Sequence, residues 1–183
     1  MEQFLAAVNL GIQHVLPGGS DHILFMICLF LRQGHVQTVF PDSLLFTAAH
    51  SISLILATIY NVSGISGTET AIAASIFFMA IAAYRGSRKS YKTIIFLFGL
   101  LHGMGFAAAI QQYMPAFNSI TFLAGFNTGV EIAQLGIVLL CFLMLQMPFA
   151  AKEFYHSILK RIALICACIA IYWVIERIMN GFV

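Results

Sequence analysis

The feature that most constrains this chain is its succession of long apolar runs. They cover roughly residues 3–15, 19–32, 43–60, 69–84, 92–111, 119–146 and 158–179. A helix needs about 20 residues to cross ~30 Å of hydrocarbon, and the last five runs are long enough, some with tilt. With 61% hydrophobic and 9% charged residues among 183, the chain is far poorer in charge than a soluble domain, which carries about 25%. A chain this short cannot hide so much apolar surface within itself, so lipid is its solvent. Backbone polar groups in lipid must be satisfied internally, which selects helices. The expectation is an all-α, polytopic membrane helix bundle of six to seven helices, with residues 1–183 forming a single integral membrane domain. The first two runs are short. They read either as two short spans or as a re-entrant hairpin whose tip is the Pro17-Gly18-Gly19 turn. The first run lacks a basic flank and leads straight into a polar motif, so it is expected not to be a cleaved signal peptide.

Charge in the short loops sets an orientation. Arg85, Arg88, Lys89 and Lys92 share one loop, Lys152, Lys160 and Arg161 another, and Arg32 follows the second run. Loops 60–68 and 112–118 carry no Lys or Arg. Basic loops face the cytoplasm, which on seven crossings places the N-terminus inside and the C-terminus outside. A net charge of +2 without a large basic patch argues against nucleic acid as a partner. Cys28, Cys141, Cys166 and Cys168 sit inside apolar runs without zinc or redox spacing, and read as core or lipid-facing residues.

Ionisable side chains at membrane depth cost about 2.5–3.5 kcal/mol on insertion scales, yet this chain has several. His14, Asp21 and His22 flank the Pro-Gly-Gly turn; Ser20 and Asp21 also suit a helix N-cap. His50 shares one helical stripe with Thr47 and Ser51. Glu69 opens the fourth run, where a carboxylate complements the helix dipole. His102 lies among Gly99, Gly103 and Gly105, and the first two have the small-xxx-small spacing of a close helix crossing. Asn127, Glu131 and Gln134 make a polar face in the middle of the sixth run, and Glu131 is the hardest of all to explain as structure. His35 and His156 read as solvated. The many Phe and Met residues read as packing or lipid-facing; no Met cluster accompanies the histidines to suggest a Cu(I) path.

Four histidines and three carboxylates thus fall in six apolar runs. If the helices bundle, their polar faces turn inward and meet. Nitrogen and oxygen donors of this kind suit a divalent transition metal such as Zn, Ni, Co or Fe, with carboxylates orienting the imidazoles.

Five blocks carry a resemblance: "GIQHVLPGGSDHILF", "FTAAHSISL", "ETAIAASI", "FGLLHGMGFA" and "FNTGVEIAQ", in that order over about residues 11 to 136. With them the chain resembles the second branch of the HupE/UreJ family of bacterial membrane proteins. The resemblance implies a multi-pass protein of the bacterial inner membrane, of the hydrogenase and urease accessory type usually considered nickel or cobalt permeases. It implies His14, Asp21, His22, His50, Glu69, His102 and Glu131 as metal-handling positions, and a metalloenzyme-maturation partner or a second copy as partners besides lipid and the ion.

Three functions follow from the same residues. The first is a permease for Ni, Co or Zn, in which Glu131 couples transport to protons. The second is an intramembrane zinc hydrolase with His22, His50 and His102 as ligands and Glu131 or Asp21 as base, although the sequence has no HExxH motif. The third is an accessory protein whose polar residues only join helices.

Overall fold

The breakers set the helix ends. Gly34, in the left-handed conformation (φ 74°), closes one helix, and Gly67 (φ 86°) opens another. The computed structural model describes residues 1–60, 62, 67–87, 90–111, 119–149 and 153–180. These residues form seven helices and no strand: α1 (Glu2–Val15), α2 (Ser20–Gln33), α3 (Val36–Ile59), α4 (Thr68–Tyr84), α5 (Lys92–Gln111), α6 (Ser119–Cys141) and α7 (Tyr155–Asn180). α6 runs on through a π-turn at Phe142–Gln146 into Met147–Phe149. The expected all-α bundle is what forms. Three helices, Val36–Ile59, Ile120–Gln146 and Tyr155–Asn180, are long and apolar enough to cross a membrane, and α1 with α2 makes a fourth, bent candidate. Arg88, Lys89 and Lys152, on which the charge reading partly rests, lie outside the described residues, as does 112–118.

Contacts at the helix ends fix the directions. At one end, the Val36 N–H donates to Gln146 Oε1 (2.8 Å) and the Tyr155 hydroxyl donates to the Gly34 carbonyl (2.6 Å). At the other, Arg177 near the end of α7 reaches Asp21 at the start of α2 and Glu69 at the start of α4. α2, α4 and α6 therefore run toward the first end, which carries Arg85 and Lys160, and α3, α5 and α7 run back. Arg32 is not a loop charge. It ends α2 with its side chain 3% exposed and bonds Asp42 Oδ2 at 2.8 Å.

α1 and α2 form the bent pair that the two short first runs led one to expect. α1 lies beside α6 and points the same way: Phe4 and Ala7 pack on Gly125, while Val8 and Gly11 pack on Gly129. It therefore starts at the end opposite the basic loops and descends partway. The chain breaks at Leu16–Gly19, and α2 runs on toward the basic end with its axis turned by 71°. Fourteen helical residues span only about 21 Å, so neither segment crosses alone; bent at the break, the pair forms a broken span or a re-entrant loop. The start of α1 lies at the same end as the C-terminal end of α7. Opposite ends, as the loop charges on seven crossings implied, do not fit this packing.

Two glycine seams hold the bundle. A Cβ on Gly103 would collide with the His50 carbonyl and the Ser53 hydroxyl, and one on Gly99 would reach 2.7 Å from the Ala49 Cβ. The close crossing expected from their spacing is the α3–α5 contact. Gly11, Gly125 and Gly129 make the second seam, between α1 and α6. The cysteines behave as core: Cys28, Cys141 and Cys166 are buried, and Cys168, on another face of α7, is exposed.

Candidate metal centre

The break between α1 and α2 occurs inside the bundle, and it brings the last turn of α1 against the first turn of α2. The His14 and His22 rings pack edge to face there, with centroids 4.9 Å apart. α3 contributes His50, whose ring lies 5.3 Å from that of His22 and 6.4 Å from that of His14. His14, His22 and His50 each offer a ring nitrogen, and these three atoms lie within 4.8 Å of one another. A tetrahedral ion with nitrogens at about 2.1 Å needs them roughly 3.4 Å apart, so the rings need to close by about an ångström around it.

α5, drawn onto α3 by its glycines, adds a fourth imidazole. The His102 ring is 5.4 Å from that of His22. Its Nδ1 lies 2.7 Å from the Phe98 carbonyl oxygen. A carbonyl only accepts, so Nδ1 carries the proton and Nε2 carries the lone pair. A ligand histidine is oriented in the same way, with its second nitrogen held by a backbone acceptor.

The rings are hidden from water: His22, His50 and His102 are 4%, 0% and 2% exposed. His22 Nε2, both nitrogens of His50 and His102 Nε2 are buried with no hydrogen-bond partner among the described residues. Buried polar atoms left unsatisfied cost about 1–3 kcal/mol each, so a purely structural cluster would pair them. One ring nitrogen from each of His14, His22 and His50 lies in a single group, and a divalent cation fits neutral imidazole lone pairs. Phe25, Phe46 and Phe126 line the outside of the group; Phe46 is 5.0 Å from the His102 ring and Phe126 is 5.6 Å from that of His14.

The carboxylates stand elsewhere. Asp21, next to His22, is expected from the sequence either as a helix cap or as a metal-handling carboxylate. Instead Gly19 is the N-cap, with no side-chain bond, and the Asp21 carboxylate takes Arg177 Nη2 at 3.1 and 3.0 Å. Glu69 is largely exposed, with Oε2 3.9 Å from Arg177 Nε. Glu131 is half-buried and outside the 4.8 Å group. The antiparallel register of α3 and α6, given by Val36 with Gln146 and Thr47 with Gln134, puts it level with His50. Below it, the Thr47 hydroxyl donates to Gln134 Oε1 at 2.6 Å, and Gln134 is fully buried. Sequence reasoning missed Arg177. Its signal was a lone arginine near the end of an apolar run, a place where cations ordinarily only reach for the interface.

The fold and the site together define a class: a multi-pass membrane protein with a buried imidazole centre built from four helices. The chain belongs to the HupE/UreJ family, since the family model described as HupE / UreJ protein matches residues 1–177. No curated protein and no solved structure matches it.

Proposed function

We propose that the protein is a membrane carrier for a divalent transition-metal ion, Ni, Co or Zn, held in passage by His14, His22 and His50 with His102 as a fourth nitrogen donor. The observation that carries this is the meeting of three buried ring nitrogens from three helices within 4.8 Å. Neutral imidazoles suit a carried ion: they bind through lone pairs, while a site without a fixed anion leaves the ion free enough to depart. Membership of the family supports the same reading. On this reading the protein sits in the bacterial inner membrane with its basic loops in the cytoplasm, and both termini face outside. Glu131, level with the centre, serves as its proton-linked carboxylate.

A metal-dependent hydrolase is the second reading, favoured by one observation: three histidines leave a fourth position on a tetrahedral ion for water. Its general base would be Asp21 or Glu131. The first is engaged by Arg177, which supports the carrier over an enzyme that uses Asp21, while Glu131, level with His50, is the base that a hydrolase would need.

Proteoliposome uptake separates them. Wild-type vesicles should accumulate Ni, Co or Zn above empty vesicles, and His22→Gln and His50→Gln should reduce uptake at least tenfold. No uptake of any of the three by folded wild-type protein overturns the carrier. An ion that resists chelators through purification, with hydrolysis lost on removing it, establishes the enzyme.

A further inference from the structure

Arg177 makes more contacts than a membrane-end arginine needs. Its Nη2 spans both Asp21 oxygens, its Nη1 donates to the Glu69 backbone carbonyl at 2.6 Å, and its Nε faces the Glu69 carboxylate at 3.9 Å. The guanidinium carbon stands 5.6 Å from the centroid of the Trp173 ring. The pair is mostly covered, with side chains 19% and 23% exposed for Arg177 and Asp21. One cation therefore joins the starts of α2 and α4 to the end of α7. Asp21 is the residue before His22, so this cation is held on the chain neighbour of an imidazole of the centre.

The ligand group contains imidazoles and, among the described residues, no carboxylate. A dication brought from water into such a dry, uncharged site loses hydration that neutral donors replace only in part. The carboxylate nearest in sequence is Asp21, and Arg177 already occupies it. We propose that Arg177 is an internal counter-cation, held on the carboxylate that an incoming divalent ion must claim before it reaches His22. The inference rests on the carrier reading above. A divalent ion outcompetes a singly charged guanidinium for one carboxylate because its Coulomb attraction at equal distance is twice as large, whereas a monovalent ion has no such advantage. Displacing Arg177 also removes the charged tie that joins α7 to Asp21 of α2 and Glu69 of α4.

The alternative role for Arg177 is a clamp that merely keeps α2, and with it His22, in place. The two differ in sign. We would titrate detergent-purified protein with Co(II), following its d–d absorption, and time the loading by stopped flow. The set would be wild type, Arg177→Gln, Arg177→Lys, Asp21→Asn and His50→Gln. If Arg177 competes with the ion, Arg177→Gln binds Co(II) about tenfold more tightly and loads it faster, while Asp21→Asn binds more weakly. Weaker binding in both Arg177→Gln and Asp21→Asn, or no change in Arg177→Gln, overturns the proposal and leaves the metal centre standing. Should Arg177→Gln fail to fold, Arg177→Lys decides. It keeps the charge but cannot span both oxygens, so a gain in affinity supports competition, and a loss or no change overturns it. If neither wild type nor Arg177→Gln binds Co(II), the carrier reading itself fails. If wild-type binding survives in His50→Gln, the ion is bound elsewhere and both readings fall.

Discussion

His50 carries two ring nitrogens, both buried and neither hydrogen-bonded among the described residues, on a residue that is fully covered. A histidine kept only to join helices would spend those nitrogens on neighbours. Its environment therefore predicts an unusual mutational result. Methionine, close to histidine in volume and without strong polar groups, should relieve the unsatisfied atoms. His50→Met is expected to raise the stability of metal-free protein by about 1–3 kcal/mol while abolishing metal binding. Thermal melts in detergent with and without chelator, alongside Co(II) titration, check both halves. Destabilisation of the metal-free form would mean that the imidazole supports the fold by itself. This exchange of stability for activity is expected where a protein stores unsatisfied groups for a ligand. At this scale the sequence was informative about which residues matter. His14, His22, His50 and His102 stood out because imidazoles are costly in lipid. It was uninformative about the carboxylates, because the cost of an acid does not name its partner. Asp21 looked like a cap to its own helix, and it is neutralised by a residue 156 positions away.

Between elements, the centre depends on how closely α5 lies on α3. Gly99 and Gly103 bring the backbone of α5 against the carbonyls of Phe46 and His50, which sets His102 beside His22. Gly103→Ala forces a methyl group into the His50 carbonyl and the Ser53 hydroxyl. Overpacking of this kind costs about 1–3 kcal/mol, and pushing α5 outward should weaken Co(II) binding severalfold with every ligand still present. Gly136→Ala is the control. A Cβ there meets nothing within 4 Å, so that variant should match or slightly exceed wild type in melting temperature, with unchanged binding. Equal effects of the two substitutions would show that α3–α5 contact does not position His102. The first seam was readable from its spacing. The second, Gly125 with Gly129, has the same spacing but lies within the polar block around Asn127 and Glu131, whose donors mask it. Nor does periodicity say which helix a glycine face meets, so the docking of α1 along α6 could be seen only in three dimensions.

For the whole molecule, the consequence of that docking is that α1 starts at the end where α7 finishes. Run lengths alone gave six to seven helices, the first two either short spans or a re-entrant hairpin. The bent α1–α2 pair sets His14 and His22 on either side of an interruption within the bundle. Irregular backbone at that depth is tolerated where protein surrounds it, and here it presents two ring nitrogens to one point. The testable result is sidedness. Short epitope tags at the N-terminus and at the C-terminus should both be accessible from the outer face of intact spheroplasts. A tag inserted at Gly86, beside Lys160 at the basic end, should become accessible only after permeabilisation. Termini on opposite faces would require α1 and α2 to cross separately. Phe4 and Val8 could not then lie level with Gly125 and Gly129, and the arrangement that joins His14 to the other histidines would be lost with them. A single tagging experiment therefore tests the architecture on which the metal centre depends, independently of any metal.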